Sequence, residues 1–174
     1  MHIGSLPGYL RGIEKTIPLD AWKAGDCVIH NHPYFGASHS PDIAIVMPVF
    51  FEGDLVGFSA NTAHHVDIGA ATPGLVIDIP DMYAEGMLLN GLKLYESGVR
   101  NEWLWKFIRD NTRVPGLVMG DLEAQIDAIE ERPREPRLML NRAAWPALAR
   151  HARTRAAALA GVHRRCQHEA RRVG

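Results

Sequence analysis

The sequence predicts a mixed α/β fold of the α+β type, with an antiparallel β-hairpin core and flanking helices. Three observations carry that expectation. Two Val/Ile-rich or apolar runs, 43–51 and 55–60, are separated only by Glu52-Gly53-Asp54, a Gly-containing connection of the kind that joins neighbouring antiparallel strands through a left-handed residue. Residues 103–111 and 118–129 repeat apolar side chains at three- and four-residue spacing, the period of a helix with one face on a core. A short apolar, β-branched run, Cys27 to His30, lies between Gly25-Asp26 and the turn-rich Asn31-His32-Pro33-Tyr34-Phe35-Gly36, as a strand ending in a loop does.

The elements follow in order. Residues 4–16 alternate loosely at helical spacing, with Ser5 placed to cap and Pro7 in the first turn, where a missing N–H costs nothing. Pro48 cannot donate to a ladder, so the first hairpin strand is at an edge or bulged there. Glu52 and Asp54 are a solvated tip. After the second hairpin strand, His64-His65-Val66-Asp67-Ile68-Gly69 opens a long irregular stretch through Pro73, Gly74, Pro80 and Gly91, and long irregular stretches are often functional. Asn101 and Pro115 are start signals for the two helices. Trp103, Trp105, Phe107 and Met119 are expected in the helix core.

Length and composition describe one ordinary domain with an appendage. The chain has 174 residues, 47% hydrophobic and 22% charged, which excludes disordered and collagen-like classes. There is no apolar run of spanning length and no basic, apolar leader in residues 1–10, so a cytoplasmic chain with no membrane segment is expected. Cys27 and Cys166 lack CxxC spacing and are expected as plain thiols, Cys27 buried. Charge divides the chain unevenly: residues 1–131 hold 18 acidic and 8 basic side chains, whereas residues 132–174 hold 2 and 11. Those last 43 residues contain 11 Arg and 10 Ala but no Lys, Ile, Phe, Tyr, Asp or Ser. A GC-rich gene read in a shifted frame gives such a composition. The domain division expected is therefore 1–131 as the folded part and 132–174 as a tail outside the ancestral fold. A weak helix over residues 145–162, with Leu148 and Leu159 on one face, is the plainer reading, and nucleic-acid binding through the basic tail is the least favoured one.

His39, Asp42 and a histidine of the His64-His65 pair supply two imidazoles and one carboxylate, a ligand set suited to a divalent metal with open positions. The hairpin returns position 64 beside the loop that carries Asp42. His64 and His65 face opposite ways in an extended chain, so one of them joins a given site. His65 and Asp67 then share the other face, where a carboxylate can orient an imidazole acting as general base or support. His30 and His32 read as loop histidines, with His32 able to reach the same cavity. No GxxxxGK[ST] phosphate-binding loop is present.

Seven ordered blocks resemble the hydantoinase B/5-oxoprolinase family over residues 2–128. They are His2-Ile3-Gly4-Ser5-Leu6-Pro7; Gly25-Asp26 through Asn31-His32-Pro33-Tyr34; His39-Ser40-Pro41-Asp42; Asn61-Thr62-Ala63-His64-His65-Val66-Asp67-Ile68-Gly69; Pro73-Gly74; Glu85-Gly86 leading to Lys93-Leu94; and Asp121 to Ala128 with Ala124-Gln125-Ile126. His32 stands where the family has Asp, and Ala37-Ser38 where it has Gly-Thr. The resemblance implies a fragment of a larger family domain. It selects His39, Asp42 and His64 as the metal ligands, for Mn, Zn or Fe, and leaves His65 and Asp67 as the catalytic or supporting pair. It also implies that ATP sits on a hydantoinase A-type partner subunit. The substrate expected is a small cyclic amide such as a hydantoin or 5-oxoproline. The alternatives are the related ATP-dependent carboxylation of a ketone, or an inactive truncated remnant of such a gene.

Overall fold

Burial at the centre of the sheet decides this architecture, because its shortest internal strand is covered on both faces. The computed structural model describes residues 5–74 and 78–134, with side chains described as far as Glu130. Within it, α1 (Leu6–Glu14) precedes β1 (Cys27–His30), the hairpin β2 (Asp42–Phe51) and β3 (Asp54–His64), a second hairpin β4 (Leu92–Glu96) and β5 (Val99–Arg100), and the helices α2 (Glu102–Asp110) and α3 (Pro115–Arg134). The strands lie side by side in the order β3-β2-β1-β4-β5. β1 is antiparallel to β2, with Val28 opposite Val46 and His30 opposite Ala44, and antiparallel to β4 on its other side. The five-stranded antiparallel sheet with three helices is the mixed α/β fold expected. Residues 5–49 and 58–134 belong to one compact unit, and the hairpin tip Phe50–Gly57 to another.

Alternation along the strands sorts side chains to two faces. Cys27, Ile29, Ile43, Ile45 and Leu94 join Trp105, Ile108, Val118, Leu122, Ile126 and Ile129 of α2 and α3 in one apolar cluster. The other face carries Ala44, packed with Tyr9 of α1 and Ala37. Every residue of β1 is buried. The Cys27 thiol sits in the helix-side cluster as expected, and its burial, helped by Glu130 and Asp26, pushes its pKa up to about 12, so it is not a nucleophile at neutral pH. Asp26 is also fully buried. Desolvation alone would raise its pKa, but N–H donors from Ser97 and Lys23 and the Lys93 ammonium 3.0 Å away hold it below the ordinary value.

Several details differ from expectation for identifiable reasons. The β2–β3 connection is tighter than three residues: Glu52 and Gly53 both have positive φ, the backbone of a two-residue type I′ turn. Pro48 does not lie on an edge strand, since β2 runs between β3 and β1, but it falls two residues beyond the 44–46 stretch that pairs with β1. Ser5 makes no side-chain cap to α1, whereas Asn101 caps α2 through Leu104 N–H at 3.2 Å. Helix α2 buries Trp105 and Ile108 while leaving Trp103 82% and Phe107 50% exposed, which corrects their placement in the core. Two apolar spacings coexist on that helix, and the one continuous with α3 docks. The second hairpin, with Ser97 and Gly98 at positive φ, follows directly on the stretch read as irregular and fills residues 92–100, to which the sequence reading gave no element. Residues 135–174, where the Arg/Ala-rich tail and the helix over 145–162 were expected, lie outside the described residues.

Candidate metal centre

The site is built at the mouth of the first hairpin. Asp42 is the first residue of β2 and His64 the last of β3, so antiparallel pairing sets the two strand ends beside each other. A backbone bond from His65 N–H to the Pro41 carbonyl, 2.9 Å, closes the mouth. His39 enters from the preceding turn, where Asp42 N–H reaches the His39 carbonyl at 3.2 Å. The three expected ligands converge. Asp42 Oδ1 lies 3.1 Å from His64 Nδ1 and Asp42 Oδ2 lies 3.6 Å from His39 Nε2. The imidazole centroids are 5.1 Å apart, with the rings nearly perpendicular, and one ligand atom from each residue lies within 4.8 Å of the others.

The Asp42–His64 separation has the spacing of two ligands on one ion, the Asp42–His39 separation is slightly wider, and the 4.8 Å spread of the set would have to draw in for all three to ligate at once. Two ligands about 2.1 Å from one metal, at the angles of tetrahedral or octahedral geometry, stand about 3.0–3.4 Å apart. The donor chemistry fits as well, since two imidazoles and one carboxylate are the set used by divalent metals that keep positions open. Asp42 is buried, whereas the side chains of His39 and His64 are 32% and 39% accessible, so one side of the set opens to solvent.

Side chains outside the expected set hold it in place. The Tyr9 hydroxyl donates to the Asp42 carbonyl and accepts from Ser38 N–H, both at 3.2 Å, bracketing the turn with His39 and Asp42. Asn31 donates to the carbonyls of Ser40 and Met87 and accepts from Leu89 N–H, fastening that turn to residues 87–89. Glu85 accepts from Ser40 N–H at 3.0 Å. From α3, Gln125 reaches His65, Asn61 and the Ile43 carbonyl. A usable signal for Gln125 was its place on a stripe of Leu122, Ile126 and Ile129, where an amide is buried only with partners.

The expected pairing of His65 with Asp67 is not formed. β3 ends at His64, so strand alternation no longer governs Asp67, which turns back to accept from Gly69 N–H at 3.0 Å and from the Arg113 guanidinium at 2.9 Å. Burial alone would raise the Asp67 pKa, but hydrogen bonds from Arg113 and Gly69 and the Arg113 charge hold it low. His65 Nε2 instead meets Gln125 Oε1 at 2.8 Å, and burial, against the effect of that bond, lowers its pKa. His30 is fully buried on the α1 face, with Nε2 donating to the Phe35 carbonyl at 3.1 Å and burial pushing its pKa down to about 4. His32 packs its ring against Phe35, centroids 4.9 Å apart, and is not part of the His39, Asp42, His64 group. Among the described residues no helix is long and apolar enough to cross a membrane.

Comparison with known proteins places this geometry in context. The family model described as Hydantoinase B/oxoprolinase matches residues 1–160. A Pseudomonas sp. (strain NS671) protein, assigned as the B-type component of a D-/L-hydantoinase, is 47% identical over 132 residues, covering 74% of this chain and 22% of that one. The beta chain of the Pseudomonas jessenii caprolactamase is 33% identical, with the same 74% and 22% coverage. This chain therefore spans about a fifth of the length of those curated relatives. Among solved structures, the ATP-dependent caprolactamase of Pseudomonas jessenii superposes with a TM-score of 0.74 at 30% identity, covering 87% of this chain and 27% of that one. The nucleotide-free acetone carboxylase shares the fold, with a TM-score of 0.62 at 20% identity over 74% of this chain and 17% of that one.

Proposed function

Since this chain belongs to the hydantoinase B/oxoprolinase family, we propose that it contributes the metal-site segment of an ATP-dependent enzyme that opens small cyclic amides. The observation that carries the proposal is the convergence of His39, Asp42 and His64 at the hairpin mouth. Relatives named for hydantoins, 5-oxoproline and caprolactam share a ring amide as the chemical element in those names. Relatives described as subunits support a hydantoinase A-type partner. In this reading that partner supplies the ATP site, and the complex works in the cytoplasm.

His39, Asp42 and His64 would hold Mn, Zn or Fe, which supplies Lewis-acid polarisation of the ring amide carbonyl when bound. The protein's own contributions are separable. Asp42, buried at the strand end, supplies a fixed negative charge, while the partly open faces of His39 and His64 leave room for a substrate to approach. His65 and Asp67 take supporting parts: the buried His65 ring ties β3 to α3, and Asp67 with Arg113 holds the loop that follows. Neither faces the other as a proton-transfer pair requires.

Equilibrium dialysis of the purified chain against Mn²⁺, Zn²⁺ and Fe²⁺ tests the reading, with Asp42→Asn and His64→Ala beside it. About one bound ion per chain, lost in both variants, is the expected result. Retention that neither substitution changes would remove the basis for the site. ATP-dependent ring opening after addition of a hydantoinase A-type partner tests the substrate class.

A further inference from the structure

We infer that Gln125 of α3 is a positioning residue for the His39, Asp42 and His64 set, and that the ligand geometry is formed only when α3 is docked. The consequence for the metal rests on the reading above, whereas the cause is hydrogen-bond geometry on the protein alone.

Gln125 makes three side-chain bonds, and their chemistry fixes the orientation of its amide. The Ile43 carbonyl can only accept, so the Gln125 NH₂ must face it, at 3.1 Å. The same NH₂ meets Asn61 Oδ1 at 3.0 Å, and Asn61 donates in return from its own amide to the Gln125 backbone carbonyl at 2.8 Å. Gln125 Oε1 is therefore the atom facing His65, and as a pure acceptor it requires a proton on His65 Nε2, 2.8 Å away. One side chain thereby sets both the tautomer and the ring orientation of a histidine only 1% exposed.

The two main contacts land beside ligands. Ile43 follows Asp42 and His65 follows His64, and in extended backbone neighbouring side chains point to opposite faces. Gln125 grips both strand ends from the helix side and leaves Asp42 and His64 projecting from the other. Rotation of either end would change the 3.1 Å separation of Asp42 Oδ1 and His64 Nδ1 first. The bonds cross 60 and 82 residues of sequence, so α3 and the ligand set are coupled. By reciprocity, an ion bound to the set should in turn favour the docked helix.

Two measurements test this in the full chain. In the absence of metal, ¹⁵N ring shifts should report His65 as the Nε2–H tautomer in the wild type, with that signature lost in Gln125→Leu. Titration with Zn²⁺ alone should show Gln125→Leu binding about 10–100-fold more weakly. Gln125→Glu, which keeps an acceptor for His65 but loses the donor to Ile43, should fall between. Ile129→Val trims the same helix away from the clasp and should lower stability without changing Zn²⁺ affinity, which separates positioning from general loosening. A folded Gln125→Leu that binds Zn²⁺ as tightly as the wild type would overturn the inference, and should that variant not fold, the same result in Gln125→Glu would do so. A wild type that binds no Zn²⁺ but shows the His65 tautomer would reject the metal reading and leave the clasp standing. A wild type with a freely exchanging His65 ring would reject the clasp.

Discussion

Gly12→Ala should destabilise the protein, although alanine is the better helix former. In an open helix the exchange gains about 1 kcal/mol. Here Gly12 is pressed against the loop after β1, and a Cβ added to it would stand 1.5 Å from the Phe35 carbonyl oxygen and 2.5 Å from its carbon. That contact must open to about 3 Å or more to be tolerable, so helix and loop must separate by about 1.5 Å. Tyr9 lies one turn earlier on α1, and its hydroxyl is 3.2 Å from both Ser38 N and the Asp42 carbonyl. A shift of that size breaks both bonds, each worth about 0.5–1.5 kcal/mol, while residual overpacking costs about 1–3 kcal/mol. Against the helical gain, the net is a loss of about 3 kcal/mol. Urea unfolding measures it: at a slope of about 1–3 kcal/mol per molar, the midpoint should fall by about 1–3 M. Gly116→Ala, at an α3 position with nothing within 4 Å, should leave the midpoint unchanged or raise it. A Gly12→Ala chain as stable as the wild type would refute the reasoning, since the contact would then relax without disturbing the turn that carries His39 and Asp42.

Acid should destabilise the fold in two windows. His30, with its pKa pushed down to about 4, is kept neutral by the fold, so its contribution is full above about pH 6.5 and is lost as pH falls toward 4, at about 1.4 kcal/mol per unit; NMR titration should show its ring unprotonated at pH 5. Asp26 and Asp67, held below the ordinary carboxylate value, contribute above about pH 3.8 and lose that contribution below it, so unfolding midpoints measured across pH should steepen again there. Arg113→Ala leaves the buried Asp67 carboxylate short of donors and should cost about 1–3 kcal/mol, reduced from a fully buried pair because Arg113 is 49% exposed; limited proteolysis should then cut within residues 66–74 sooner than in the wild type. The purified chain should release no phosphate from ATP above background, and release that is lost on denaturation would place an ATP site on this chain.

Where the sequence was legible, local signals agreed with the tertiary outcome. Cys27 to His30 and the first hairpin were readable because β-branched runs bounded by Gly or Asp have few other uses, and the hairpin alone brought position 64 back to position 42. β4 and β5 were not readable. Leu92 to Glu96 alternates only briefly after a Pro- and Gly-rich stretch, its partner Val99–Arg100 is two residues long, and the strand exists because β1 offers it an edge. The ligand set was readable as chemistry, though the choice of His64 over His65 came from resemblance; the structure puts them on opposite faces, with only His64 beside Asp42. The pairing of His65 with Asp67 failed because strand parity was carried to a residue three positions past the strand end at His64. Tyr9 was invisible as a support, since a hydrogen bond across 33 residues leaves no local pattern, and Gln125 showed only as an amide on an apolar stripe, with nothing in the sequence to name its partner 60 residues away.

Three aspartates are buried in this unit, and the partners they keep distinguish their uses. Asp26 faces Lys93 and Asp67 faces Arg113, each with backbone N–H donors on its second oxygen or beside it. An ammonium and a guanidinium offer no lone pairs, so both arrangements tie a loop and supply no metal-ligand partner. Asp42 instead faces two imidazoles, side chains that offer a lone pair when neutral and can therefore accept a shared cation. A buried carboxylate is costly to desolvate, and whichever charge compensates it is strongly held. Replacing His64 by lysine separates the two uses. The ammonium could pair with Asp42 as Lys93 pairs with Asp26, so His64→Lys should retain wild-type stability to within about 1 kcal/mol while losing Zn²⁺ binding altogether. Unchanged Zn²⁺ affinity in that variant would mean that the imidazole of His64 serves Asp42 as a hydrogen-bond partner and not as a ligand.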